Sequence, residues 1–415
     1  MKLPILLLIL LSAAARSNAD SITIHAGGHE RAGCVTSFQA PESWRGTTRT
    51  LHGLGSPVQV DDAGKATFIL ADPLPKGASV TFTFAPALPA HGASGVETSV
   101  AGDVLKLVAK SYAITPERVS LPVFTYQMQP GPVPEGMAEG FSHGAHLHPV
   151  FSPSGRLVTG NHPPDHPHQR GIWFAWTHTE FMGRAPDFWN MGKDKSGKLT
   201  GEVRFEKLIR HWSGPVHGGF TSTHRWIDHT GDAAVDVLHE KWEVTVTHTV
   251  GLHDSGGKNL PPVFLIDLVS TQSCSGREPV KLPKYHYGGL GVRGNAVWDA
   301  VDKVRMLTSN GDDRVKGDGT KAKWVWLGGE VDVQTTGITV LMHPENFRFP
   351  QPLRLNPKNP QLCVAPSADG DWSIEPGKPY VSLYRIVISD GQPDSKMIER
   401  LWVDYAEPPA VVFTP

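Results

Sequence analysis

The stretch Lys241-Trp-Glu-Val-Thr-Val-Thr-His248 sets Trp242, Val244 and Val246 against Glu243, Thr245 and Thr247. Successive side chains of a strand point to opposite faces, so this alternation predicts one buried face and one wet face. Three more stretches share its β-branched and aromatic character: Ser79-Val-Thr-Phe-Thr-Phe84, Val263-Phe-Leu-Ile-Asp-Leu-Val269 and Val381-Ser-Leu-Tyr-Arg-Ile-Val-Ile388. Turn formers bound each of them, and glycine or proline recurs between such runs along the chain. Long helical periodicity is missing. The one good helix candidate is Asp394 to Asp404, where Ile398, Leu401 and Trp402 fall at helical spacing and Asp394 or Ser395 can cap the start. The chain therefore reads as all-β.

Working outward, Lys2 followed by the apolar run from Pro4 to Leu11, with Ser17-Asn18-Ala19 before Asp20, reads as a signal peptide over residues 1–19. Its apolar core is too short for an ordinary membrane span, and no other run is long enough. The expectation is a secreted or periplasmic protein with no span in its mature chain. At 415 residues, two domains are expected from the usual domain size of about 100–200 residues. Residues 20–120 read as a small N-terminal β-sandwich, with a turn at Asp61-Asp62-Ala63-Gly64. Residues 121–415 read as the larger unit, and Gln129-Pro-Gly-Pro-Val-Pro-Glu-Gly136 as a linker or excursion.

The net charge of −2 and the lack of a long basic run exclude a nucleic-acid partner of the usual kind. The three cysteines form no zinc-type cluster; Cys274 and Cys363 are the better pair for a disulfide that a core of this size does not require. Twenty histidines and twelve tryptophans suit sugar binding or metal binding. No feature of the sequence specifies an oligomeric state.

The chemistry concentrates in Gly160 to Trp176, GNHPPDHPHQRGIWFAW. Pro163, Pro164 and Pro167 stiffen the backbone that displays Asp165, His166, His168 and Arg170. Neutral imidazole moves protons near neutral pH or ligates a metal, and Arg170 offers a planar fork for a carboxylate. Other candidate segments are His143-Gly-Ala-His146-Leu-His148, the run from Trp173 to Trp189 with Trp176, Tyr285-His286-Tyr287-Gly288-Gly289-Leu290-Gly291-Val292-Arg293, and His343-Pro-Glu-Asn-Phe-Arg348. No nucleophile-elbow, zincin or phosphate-loop motif is present.

The order HPVFSPSG (148–155), PPDHPHQRGIWFAW (163–176), DFW (187–189), YGGLGVR (287–293) and HPENFR (343–348) resembles a bacterial exported family known as the PmoA family. The resemblance runs from about residue 50 to 405, with Gln169 where members often carry a further histidine. It implies carbohydrate metabolism more than methane chemistry. The larger unit also looks like a galactose-mutarotase-type β-supersandwich, so the expected architecture is a small N-terminal β-sandwich followed by a large antiparallel β-supersandwich.

These readings lead to an exported carbohydrate-active enzyme, a hydrolase or lyase acting on a glycoside or oxidised sugar without a cofactor. His166, His168, Tyr287, His286 and Asp165 are the expected acid–base groups. Arg170, Arg293, His148, Trp176, Trp189, His343 and Arg348 are the expected substrate-binding groups. A copper or zinc protein with His146, His148, His166 and His168 as ligands, and a non-catalytic sugar-binding protein, are the alternatives.

Overall fold

The computed structural model describes residues 20–54, 56–85, 95–112, 118–191 and 199–415. The signal segment expected over 1–19 lies outside the described residues. Among those residues the strands form a seven-stranded, a nine-stranded, an eight-stranded and a two-stranded sheet, which makes the protein all-β.

The stretch that decided the fold class lies inside the strand Val235–Thr249, at the middle of the eight-stranded sheet. It pairs antiparallel with His217–Asp228 on one side and Val263–Cys274 on the other. Trp242, Val244 and Val246 are buried in the main core with Phe264, Ile266 and Leu268. Glu243, Thr245 and Thr247 leave from the opposite face. The nine-stranded sheet packs over the same core. Its pairings set Tyr126, Leu147, Ile172, Val292 and Leu362 in one row, all of them fully buried. A core of this extent needs no cross-link, and Cys34, Cys274 and Cys363 are free thiols. The expected Cys274–Cys363 pair is not formed: Cys274 ends a strand of the eight-stranded sheet, whereas Cys363 is buried in a strand of the nine-stranded one.

The seven-stranded sheet has its own core around Ile22, Ile24, Val58 and Phe68. Its strands come from Ser21–His25 through Ser79–Ala85, and Ala410–Thr414 closes one edge. Phe413 of that last strand stacks on Phe38 at 5.9 Å. Sheet membership thus differs from the expected 20–120 unit. Gly95–Ala101, Val104–Tyr112 and Arg118–Gln127 all belong to the nine-stranded sheet. Short strands and turns look alike in both sheets, so composition shows no boundary, whereas Leu105, Leu107 and Phe124 are committed to the larger core. Gln129 to Gly136 is an excursion between two neighbouring strands, Arg118–Gln127 and His146–Val150.

The expected helix forms over Ser395–Ala406, with the Asp394 carboxylate accepting from the Lys396 and Met397 amides. Ile398, Leu401 and Trp402 pack against Trp324, Leu341 and Val387 on the outer side of the eight-stranded sheet. The buried ion pair Arg31–Asp404, at 2.9 Å, ties this helix to the amino-terminal sheet. Among the described residues no helix is long and apolar enough to cross a membrane.

Candidate functional site

The Gly160–Trp176 segment is a loop pinned to the nine-stranded sheet. Gly160 donates its amide to the Arg293 carbonyl at 2.9 Å, and Arg293 donates to the Gly171 carbonyl at 2.8 Å. Two successive turns, His166 to Pro163 and Gln169 to His166, fold the proline-rich part back on itself. Gly171 sits where any Cβ would lie 1.9 Å from the Leu147 carbonyl, so only glycine allows this approach. Three residues around the loop, Ala145, His162 and Met191, hold left-handed backbone with φ of 55, 50 and 60°. Such strain, of order 1–3 kcal/mol each, persists where surroundings over-determine the conformation, and it clusters at functional sites.

Arg170 is the centre of this arrangement. It is 2% exposed, its Nε has no hydrogen-bond partner, and the one contact made by its Nη1 is the Met191 sulfur at 3.9 Å. Burial draws its pKa down to about 9, and Glu202, at longer range, opposes that shift. A guanidinium left this way carries its full desolvation cost. Buried histidines surround it. The rings of His143 and His146 lie 5.3 Å apart, and those of His143 and His162 4.9 Å apart. Neither nitrogen of His143 is hydrogen-bonded. His146 uses Nδ1 towards the Gly144 carbonyl at 3.2 Å and leaves Nε2 without a partner. Burial first, then the Arg170 charge, pushes both imidazoles well below their usual range. Burial, with the charge of His166, lowers His168 to about 3, and burial lowers His148 to about 4. These histidines are neutral near pH 7.

Arg293 has a different role from the one expected. It is 1% exposed and donates to Gln169 Oε1 at 2.7 Å and to the Asp299 carboxylate. Its charge is compensated, so it positions the loop through Gln169. Asp165 accepts from His166 at 2.8 Å, and Asn359 approaches the same His166 nitrogen at 3.4 Å. Burial works to raise the Asp165 carboxyl, but the hydrogen bond and charge of His166, with the charge of Arg293, together hold it below its usual range. His148 is fixed by Thr159 Oγ1 at 2.9 Å.

Tyr287 belongs to a neighbouring group. Its hydroxyl accepts from Asn190 Nδ2 at 2.9 Å, and the same amide donates to Asp187 at 2.9 Å and Thr177 at 3.0 Å. Burial raises the Tyr287 hydroxyl to about 12 and also raises Asp187, so both favour the protonated form. A cavity of about 280 Å³ opens here, lined by Thr177, His178, Asp187, Asn190 and Tyr285. Trp189 joins this group to the loop: its ring lies 5.6 Å from Tyr287 and 4.7 Å from Trp173. Gly291 makes room for both tryptophans, since a Cβ there would sit 2.8 Å from each.

Several expected residues do other work. Trp176 is buried and donates to Gln272 at 2.7 Å, and Trp189 is buried between rings, so neither presents a free face. His343 packs on Tyr405 of the helix at 5.1 Å, with no contact to the histidine cluster. Arg348 donates to the carbonyls of Pro366, Gly370 and Asp371 and thereby holds a loop. The His286 ring lies tilted against Tyr285 at 4.6 Å and edge-on to Tyr287 at 4.9 Å, at the margin. The metal set His146, His148, His166 and His168 is not assembled: among the described residues no three His, Cys, Asp or Glu side chains form a metal-sized group. The Arg170 charge beside His143 and His146 also opposes a cation there. Asn190 went unread, and Gln169 was read only as a departure from the family pattern, because amides carry no distinctive motif.

Antiparallel sheets make this an all-β protein, and within it the Arg170 guanidinium lies buried among imidazoles. The chain belongs to the DUF6807 family, a family of unknown function, whose model matches residues 117–403. That match does not carry the PmoA name, and the PmoA resemblance is not confirmed by it. No curated protein matches the chain. Among solved structures it is similar to a protein in the glycosyl hydrolase family 38 from Enterococcus faecalis, at 7% identity and a TM-score of 0.37. That similarity covers 97% of this chain and 48% of the other, so the chain spans about half the length of that protein.

Proposed function

We propose that this protein is an exported carbohydrate-active enzyme that takes a sugar bearing a carboxylate, with Arg170 as the carboxylate receptor. The observation that carries the reading is the unpartnered Arg170 Nε, buried beside both unpartnered nitrogens of His143 and the unpartnered Nε2 of His146. Unsatisfied buried donors are rare in native structures, and a planar oxyanion satisfies such a set. The alternative of a cation at the same place has no support from the charge of the pocket.

The reaction that best uses these groups is β-elimination. Arg170 neutralises the carboxylate and so stabilises the charge that develops when the neighbouring C–H is broken. Neutral His168 takes that proton; the anion next to it raises its basicity from the low value of the empty pocket. The electron pair becomes the new C=C bond, the C–O bond to the leaving sugar breaks, and Tyr287, protonated and held by Asn190, supplies the proton to that oxygen. His166 and Asp165 form the outer wall of the site, and Arg293 holds it through Gln169.

The test is turnover on a panel of oligogalacturonate, oligoglucuronate and oligomannuronate, followed by the absorbance of the unsaturated acid product. Wild-type protein should give product on one of them, and Arg170→Met should lose at least a hundredfold in kcat/KM. Turnover of neutral glycans alone, or an Arg170→Met variant as active as wild type, would overturn the reading.

A further inference from the structure

A cavity of about 690 Å³ lies elsewhere. It is a cleft between the seven-stranded sheet and the outer face of the eight-stranded sheet. Its floor is the wet face of the stretch that decides the fold class, Glu243, Thr245 and Thr247, continued by Asp267 and Arg385 on the next strands. Thr36 and Thr67 face it from the amino-terminal sheet, and Asp404 and Tyr405 come from the helix. Asp62 and Arg210 at its rim are exposed, so solvent reaches it.

Asp61, Asp62, Lys65 and Arg210 also line the cleft, two acidic and two basic side chains, and the charges of its floor and of the helix are answered within the protein. Arg385 holds Asp267 through two hydrogen bonds of 2.6 and 2.9 Å. Asp404 pairs with Arg31 at 2.9 Å, and Glu243 with Lys241 at 2.9 Å. An ion of either sign therefore gains little by entering. Hydrogen-bonding capacity remains, however. Thr36 Oγ1 and Asp404 Oδ2 are buried, line the cleft and have no hydrogen-bond partner. Compensated carboxylates and guanidinium groups interleaved with threonine hydroxyls suit a ligand that is uncharged and rich in hydroxyls. The volume is within the roughly 300–1,000 Å³ usual for small-molecule sites, and a boundary between structural units is a usual place for one.

We infer that this cleft is a second binding site, for a short neutral oligosaccharide, separate from the Arg170 pocket. The ligand's hydroxyls donate to Glu243, Asp267 and Asp404 and accept from the threonines and Arg385. The site stands whether or not the Arg170 pocket performs the elimination proposed above.

Calorimetry with maltotriose, cellotriose, mannotriose and xylotriose tests it. At least one of these neutral trisaccharides should bind the wild-type protein. Thr245→Trp, which fills the floor, should weaken that binding at least tenfold, and Glu243→Gln several-fold. Arg170→Met should leave it within twofold. Circular dichroism and thermal melting of each variant establish folding, and Glu243→Gln, at a half-exposed side chain, decides the matter if Thr245→Trp does not fold. Absence of binding by all four sugars at millimolar concentration overturns the inference, as does undiminished binding by a folded Thr245→Trp or, in its place, by Glu243→Gln. A water-filled seam between the two sheets predicts those negative results.

Discussion

The Arg170 pocket and the inter-sheet cleft differ in one physical respect, the treatment of charge. In the pocket no carboxylate among the described residues pairs with the buried Arg170 guanidinium, and nearby imidazoles have nitrogens with no hydrogen bond. In the cleft Asp267, Asp404 and Glu243 each have a cationic partner within 3 Å. Burying an unpaired charge is costly, so on the readings proposed above the first region suits a ligand that supplies the opposite charge. The second region has paid that cost internally and is built for a ligand without charge. The two regions thus treat buried charge in opposite ways.

The largest effect that separates the regions is catalytic. His168→Asn should lower turnover of the acidic substrate by about 10²–10⁴, the usual worth of a positioned acid–base group. Binding of a neutral trisaccharide in the cleft should be unchanged in that variant. Equal loss of both would join the two regions into one site.

A second experiment addresses the wall of the cleft. Arg31→Met removes one partner of the buried Arg31–Asp404 pair. It should cost about 3 kcal/mol in urea denaturation, because it leaves a buried carboxylate with only the distant Arg400, at 3.9 Å, as a cationic neighbour in the helix. Arg31→Met combined with Asp404→Leu should recover much of that loss. A single variant of wild-type stability would show that the pair does not hold the helix to the amino-terminal sheet.

The smallest effect is a pH dependence. His148 and His168 in or beside the pocket, and His217 lining the cleft, all have folded pKa values depressed by burial, to about 4, 3 and 4. Above about pH 6.5 these groups are neutral both folded and unfolded, and the stability is fully present. As pH falls below that value the unfolded chain takes up protons first, and stability is lost towards pH 4. Each histidine should cost on the order of 1–2 kcal/mol between pH 7 and 5. Chemical denaturation at the two pH values measures the sum. A saturating acidic sugar should restore the part contributed by the pocket, and His217→Asn should remove a part that no anion restores. An anion that protects His217 as well as the pocket would remove the contrast between the regions.

Much of the fold was legible in the sequence. Strict alternation over 241–248 named the face that enters the core, because a strand has a period of two and its neighbours leave no other choice. The helix over Ser395–Ala406 was legible from its cap and its apolar stripe. The DHPHQRG segment was legible as a stiff polar wall, since proline restricts backbone locally whatever the surroundings. Burial was not legible in the same way. Trp176 and Trp189 look like sugar platforms in one dimension, yet both are enclosed by rings from distant segments. Arg348 and His343 carry the right chemistry and lie against other partners.

The sequence by itself therefore determined the all-β class, the inward face of the central strands and the stiffness of the histidine-bearing loop. Each depends on interactions between residues close along the chain. Tertiary structure alone decided that the Arg170 Nε is buried without a hydrogen-bond partner while Arg293 finds Asp299. It also decided that the wet face of Lys241–His248 becomes the floor of a cleft when the seven-stranded sheet covers it. Charge compensation and cavity formation depend on which distant residues arrive at a point, and no local pattern encodes that arrival.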